Sequence, residues 1–349
     1  MNNHVHGGDV YHYRDCLDFS ANCNPLGTPE SVKAAARDSL ERIYEYPQVG
    51  YQPLKEAIGK YEQVDSDWII CGNGAAEVIF SVCRAGKPKK ALVTGPSFAE
   101  YEQALQGVGC EVDHFWLEEE EDFRVKRDFL KALRPELDIV FLCNPNNPTG
   151  VLMDQCLLME ILKRCRELDI FLVVDECFLD FVEEPALYTL KKVLGDYRNL
   201  FIIKAFTKRY AMPGLRLGYG LCANTRLLEK MTEENQPWNI STPAQAAGMA
   251  ALLENSYVEA GRQLVFKEKA YLRERLTRLG LKVYPSMANY LFFKGPEDLF
   301  LACLQKKVLI RDCSNYPGLS KGYYRIAVKK HVQNEILVKA LEEIWQKRL

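Results

Sequence analysis

"DIVFLCNPNNPTGVLMDQCLLMEILKRCRELDIFLVVDE", residues 138–176, is the stretch that decides the fold. It opens on an almost unbroken apolar run, "DIVFLCN" (138–144), and closes on another, "IFLVVDE" (170–176). Runs this apolar suit strands covered on both faces, as in a parallel sheet. Between them, "DQCLLMEILKRCREL" (154–168) spaces its apolar residues with helical period and ends near Asp169. Strand, turn, amphipathic helix and strand in that order make an α/β unit.

Outward from this unit the pattern repeats. "KALVTG" (90–95) and "NLFIIKAF" (199–206) read as further buried strands, and "SFAEYEQALQGVG" (97–109) as a helix ending near Gly109. The expectation is a large α/β domain on a mainly parallel sheet. After Leu227 the texture changes to long helices, short strands such as "ANYLFF" and "YYRIAV", and a closing helix "NEILVKALEEIWQK". That predicts a smaller α+β domain. The division expected is residues 1–45 as an N-terminal segment packing with the small domain, 46–227 as the large domain and 228–349 as the small one. The acidic run "EEEEDF" (118–123) reads as a solvated loop, and no internal repeat or low-complexity linker is visible.

The 349 residues suffice for two domains and a substantial core, and 48% hydrophobic with 26% charged residues is an ordinary globular balance. A formal net charge of −2 makes no case for nucleic acid or an anionic membrane, so an anionic partner must be met by local cations in a pocket. The twelve cysteines are scattered without a C-x-x-C pair, which argues against zinc and thioredoxin-like chemistry. "HVH" near the start has no third ligand at useful spacing. The N-terminus has no apolar leader core, and no run approaches the ~18 residues that span a bilayer. These features predict a reduced, cytoplasmic enzyme whose cysteines mostly fill apolar space.

Polar groups at the carboxyl ends of the strands are the chemical candidates. "CGNGAAEVIF" (71–80) is a glycine turn opening a helix, so the amides of Gly74, Ala75 and Ala76 could cradle a phosphate. "NPNNPTG" (144–150) fixes a loop and offers Asn147 as donor and acceptor. Asp175 ends an apolar strand, where a carboxylate is costly without a cationic partner. In "AFTKRYAMPGLRLGYG" (205–220), Lys208 sits among small and apolar residues, which eases its deprotonation and suits a Schiff-base nucleophile; Arg216 follows after a Pro-Gly break. One ligand answers all of these needs. Pyridoxal phosphate has a phosphate, an aldehyde and a ring nitrogen that an aspartate can keep protonated.

With these residues in order, the chain resembles the fold-type I pyridoxal-phosphate enzymes of the aspartate aminotransferase superfamily. The resemblance implies that Lys208 condenses with the aldehyde, Asp175 pairs with the ring nitrogen, Asn147 contacts the ring oxygen and Arg216 binds the phosphate. It also implies that Phe98 stacks on the ring, and that Tyr46 reaches the phosphate of a neighbouring subunit in a homodimer with shared sites. Two departures stand out. Phe178 replaces a tyrosine common three residues after the aspartate. Ala205 replaces a serine or threonine common three residues before the lysine, leaving more of the anchoring to Thr207, Arg216 and the helix amides.

The stretches "HGGDVY", "LDFSANCNPLG", "GNGAAEVIF", "CNPNNPTG", "DECFLDF", "TKRYAMPGLRLGY", "VLIRDCSNYPGL" and "YYRIAV" span almost the whole chain. Together they are similar to the threonine-phosphate decarboxylases of cobalamin biosynthesis, and Phe178 agrees with that pattern. The segment between "HGG" and "LDFSAN" is shorter here. This resemblance implies a phosphorylated amino-acid substrate touched by His6, Gly7, Asn22, Asn147, Arg311 and Arg325. Arg325 is assigned to the carboxylate and Arg311 with His6 to the phosphate, although the two can be exchanged. Three rival readings stay open: a histidinol-phosphate-type aminotransferase, a decarboxylase preferring O-phospho-L-serine, and a non-catalytic protein that binds the cofactor.

Overall fold

The computed structural model describes residues 6–348. Among them the strands form three sheets. β1 (Leu17–Asp18) lies in the N-terminal segment. β2 (Ile69–Gly72), β3 (Lys90–Gly95), β4 (Glu111–Trp116), β5 (Ile139–Cys143), β6 (Phe171–Asp175), β7 (Leu200–Ala205) and β8 (Gly218–Leu221) make one seven-stranded sheet, ordered β2-β8-β7-β6-β5-β3-β4. All pairs from β7 to β4 are parallel, and only β8 runs against its neighbours. The expected α/β domain on a mainly parallel sheet is what the chain forms.

Alternation along the strands assigns their two faces. Leu92, Val140, Leu142, Leu172, Val174, Leu200 and Ile202 belong to one core, while Ala91, Val93, Ile139, Phe141, Val173, Phe201 and Ile203 belong to the other. Helix Gln155–Glu167, capped by Asp154 accepting from the Leu157 amide, lays Leu158, Ile161 and Leu162 on the first face. Helices Gly74–Gly86 and Ala99–Gln106 cover the second. Asp175 continues the series of Val173, so its carboxylate is directed to the side of helix Ala99–Gln106.

β9 (Lys282–Val283), β10 (Tyr290–Lys294), β12 (Arg311–Asp312) and β13 (Tyr323–Ala327) form an antiparallel sheet ordered β12-β13-β10-β9. Long helix Asn255–Arg278 and closing helix His331–Gln346 pack their apolar residues with this sheet, giving the second, α+β unit. β11 (Val308–Leu309) pairs in parallel with β1, which ties residues 17–18 to that unit. Residues Leu228, Met231, Ile240, Ala244, Ala247, Ala251 and Val258 bury with the large sheet, and the smaller core takes over from Val265.

The acidic run is a correction. Only part of "EEEEDF" is solvated: Glu119 accepts from the Tyr284 hydroxyl at 2.6 Å and from the Tyr323 hydroxyl, and pairs with Lys282 and Lys294 at 2.9 Å each. Phe123 is buried against Tyr284, Phe292 and Tyr323. The loop anchors the large unit to the small sheet. The cysteines behave as expected, free and mostly buried, with Cys156 exposed and Cys16 and Cys23 half-buried. No helix among the described residues is long and apolar enough to cross a membrane.

Candidate active site

At the carboxyl ends of β3, β5, β6 and β7 the chain encloses a cavity of about 220 Å³. Of the sixteen site residues expected from the sequence, fourteen line it: His6, Gly7, Asn22, Ala75, Ala76, Phe98, Asn147, Asp175, Phe178, Thr207, Lys208, Arg216, Arg311 and Arg325. Gly74 lies just behind the lining, against Arg216. Tyr46 does not line it. Its ring is 79% exposed and packs 4.7 Å from that of Trp238.

Asp175 is buried, with one carboxylate oxygen accepting from the Tyr101 hydroxyl at 2.6 Å and the other from the Cys177 amide at 2.9 Å. Burial pushes its carboxyl above the ordinary range, against those two hydrogen bonds. A cation brought beside it would relieve that cost. Tyr101 stacks on Phe141, 5.2 Å between centroids, which fixes the hydroxyl that holds the carboxylate.

Lys208 sits in the short helix Phe206–Arg209, directly after β7. Its carbonyl accepts from the Asn24 amide at 2.9 Å, pinning the segment to the N-terminal strap. Burial draws its ammonium below the usual lysine range, and the Arg325 and Arg216 charges push the same way. A lysine so placed is a readier nucleophile at neutral pH than one in water.

The turn before helix Gly74–Gly86 is shaped for close approach. Gly74 has φ +82°, and a Cβ there would stand 2.2 Å from a terminal nitrogen of Arg216. A Cβ on Gly218 would stand 2.4 Å from the Ala75 amide nitrogen. Helix N-terminal amides and the Arg216 guanidinium therefore stand close together on the cavity wall beside buried Thr207, a combination that suits an anion. Phe178 is buried edge-on to Tyr290, 5.2 Å between centroids, and gives the cavity no hydroxyl; Ala205 lines it as a methyl.

The opposite wall comes from the small unit. Arg311 and Arg325 are directly opposed on β12 and β13, and each is only 5% exposed. Like charges facing each other across strands repel, so an anion between or beside them is favoured. Arg325 donates to Asn147 Oδ1 at 2.5 Å and to the Ser20 carbonyl at 3.0 Å, while its Nε is buried without a partner. Asn22 Nδ2 is a second buried donor left unsatisfied on the lining. On the lining, both are donors that a bound anion would satisfy. Gly7 admits the N-terminal strap here, since a Cβ would stand 2.4 Å from the Ser20 carbonyl oxygen. His6 Nδ1 lies 3.3 Å from Glu100 Oε1, and Arg311 donates to Asn315 Oδ1 at 2.7 Å.

The donor set fits pyridoxal phosphate. It offers an anion cradle, an amine of lowered basicity, a buried carboxylate and an aromatic ring at Phe98. Reading the sequence missed Tyr101, Tyr316 and Glu100. Tyr101 lies three residues after Phe98 on the same helix face, and Tyr316 falls within the quoted "NYPGL"; both were visible as aromatics but not as lining.

The chain matches the family described as aminotransferase class I and II over residues 14–341. It is similar to the threonine-phosphate decarboxylase of Salmonella typhimurium, 39% identical over 98% of this chain and 97% of that protein. Among solved structures it is similar to the histidinol-phosphate aminotransferase of Clostridium acetobutylicum (TM-score 0.89, 31% identity, 95% of this chain and 99% of that one). It is also similar to the L-threonine-O-3-phosphate decarboxylase of Porphyromonas gingivalis (TM-score 0.85, 26% identity, 94% and 99%).

Proposed function

This chain belongs to the aminotransferase class I and II family, and on that premise we propose that it binds pyridoxal phosphate in this cavity and decarboxylates O-phospho-L-threonine to 1-amino-2-propanol O-phosphate. The observation that carries the reading is the pair of buried, opposed arginines, Arg311 and Arg325, sharing one cavity with Lys208 and Asp175. A substrate with both a carboxylate and a phosphate needs two such cations, and arginine serves each through bidentate bonding. Full-length similarity to the Salmonella decarboxylase supports loss of carbon dioxide over transamination. The hydroxyl-free Phe178 agrees with it.

When bound, pyridoxal phosphate supplies an aldehyde that condenses with amines and a protonated ring that draws off the electron pair released at the substrate Cα. The chain's own residues do the rest. Lys208 would hold the group, and its lowered basicity keeps a neutral amine available. Asp175, fixed by Tyr101 and Cys177, holds the proton on the ring nitrogen. Asn147 would hold the ring oxygen; it also accepts from Arg325, the residue assigned to the substrate carboxylate. The amides of Gly74, Ala75 and Ala76, with Thr207 and Arg216, would anchor the phosphate, and Phe98 would cover the ring. Arg325 takes the substrate carboxylate, and Arg311 with His6, Gly7 and Asn22 the phosphate end. Two anchored ends orient the bond between Cα and the carboxylate, and orientation selects which bond breaks.

The working unit is a homodimer. Leu40, Ile43, Tyr44, Tyr46, Val49, Trp238, Met249 and Leu253 are all exposed, an apolar set that a monomer rarely leaves open. A second copy covering it would bring Tyr46 to its neighbour's phosphate site. The test is reduction with borohydride of the yellow, cofactor-loaded chain, followed by peptide mapping. Label fixed on Lys208 is the result expected, and label on another lysine sinks the assignment.

A further inference from the structure

Glu100 stands beside His6 and Arg311, the groups assigned to the substrate phosphate. It is the second residue of helix Ala99–Gln106, its neighbour Tyr101 being the one that holds Asp175. One oxygen lies 3.3 Å from His6 Nδ1, and the other is buried without a hydrogen-bond partner. Glu100, His6, Phe98, Arg311, Asn315 and Tyr316 line a pocket of about 20 Å³. It shares His6, Phe98, Arg311 and Tyr316 with the main cavity, so it is an extension of it. That volume holds about one water molecule, too little for a second ligand.

Resting on the phosphate-ester reading above, we propose that Glu100 is a positioning and specificity residue. It serves as counter-ion to His6 and Arg311 while the substrate is absent, and takes one proton from solvent when a phosphate ester arrives. A carboxylate beside the two groups assigned to the phosphate would repel a dianion, whereas the neutral acid turns its orphaned oxygen into a donor toward an all-acceptor ligand. The groups that face Glu100 are His6 from the N-terminal strap, Arg311 on β12, Tyr316 beyond it and Asp175 at the end of β6. Burial raises the Glu100 carboxyl to about 7, its own backbone amide and Arg311 pull it down, and Asp175 pushes it up.

The sign follows from linkage. Below pH 7 the acid is already neutral and the phosphate binds without a proton cost. Above it, each further pH unit weakens binding, because a carboxylate then faces the groups assigned to the phosphate. The test uses the cofactor-loaded enzyme and D-3-phosphoglycerate, which has a carboxylate and a phosphate but no amine to react. Titration calorimetry in buffers of different ionisation enthalpy counts the protons taken up. At pH 8 the unsubstituted chain should take up more than about half a proton beyond Glu100→Gln, and its Kd should rise on the order of tenfold from pH 7 to 8.5 while that of Glu100→Gln stays flat. Glu100→Gln keeps the shape and the neutral charge, so its Kd at pH 7 should be close to that of the parent. Equal proton uptake and equal pH slopes in the two proteins would overturn the proposal. Absence of 3-phosphoglycerate binding by the unsubstituted chain at every pH would instead overturn the phosphate-ester reading, and Glu100's role with it.

Discussion

Asp175 is buried and Lys208 half-buried on the cavity wall, and each is a costly charge until its partner arrives. Lys208→Ala should leave the chain folded but unable to fix the cofactor under borohydride, with turnover down by more than about a thousandfold. Arg325 sits in a different bargain: its planar fork already serves Asn147 and the Ser20 carbonyl. Arg325→Lys keeps the charge and loses the fork, so KM for the substrate should rise about 10- to 100-fold while the cofactor spectrum is unchanged. Steady-state kinetics beside an absorbance scan checks both halves. Most of these residues were legible in the sequence because each stands at a strand end or helix start, where local pattern identifies it. Glu100 and Tyr101 were not. Their roles depend on His6, Arg311 and Asp175, which reach them only through the fold.

At the scale of elements, the turn into helix Gly74–Gly86 and the acidic loop make opposite lessons. The glycine turn reads directly from "GNGAA", because positive φ and close approach are local demands. Gly74→Ala should cost about 1–2 kcal/mol of stability and weaken pyridoxal phosphate binding, as equilibrium dialysis would detect. The acidic run misleads because its partners, Lys282, Tyr284, Lys294 and Tyr323, lie more than a hundred residues away. Burial works against the Glu119 charge, but hydrogen bonds from Tyr284 and Tyr323, then those from Lys294 and Lys282, hold its carboxyl far below the ordinary range. A depressed carboxyl contributes stability that is present above its unfolded pKa, near 4.5, and lost as pH falls through the folded one. The parent should thus lose more stability than Glu119→Gln when denaturation midpoints are compared between pH 5 and pH 3. Equal losses would remove the loop from the account.

For the whole molecule, the strands of the large sheet and the change to an α+β texture follow from apolar runs and period, which is why the architecture could be read from residues 138–176 outward. The sharing of cores could not. Helices Thr225–Glu234 and Thr242–Ala251 bury with the large sheet although their own periodicity names no partner. Exposed Ile43 and Leu253 belong to the surface assigned to the second copy. Ile43→Glu combined with Leu253→Glu should shift sedimentation from dimer to monomer and lower cofactor retention, since Tyr46 would then lose the neighbouring site. The claim on which the rest depends is the bond that breaks. The direct measurement is turnover of the cofactor-loaded chain with O-phospho-L-threonine as sole substrate, following carbon dioxide, amine and keto acid together. Steady release of carbon dioxide, matched one to one by 1-amino-2-propanol O-phosphate and with no keto acid, is the result predicted. No carbon dioxide, with loss of the yellow colour that 2-oxoglutarate restores, would contradict it and make the chain an aminotransferase.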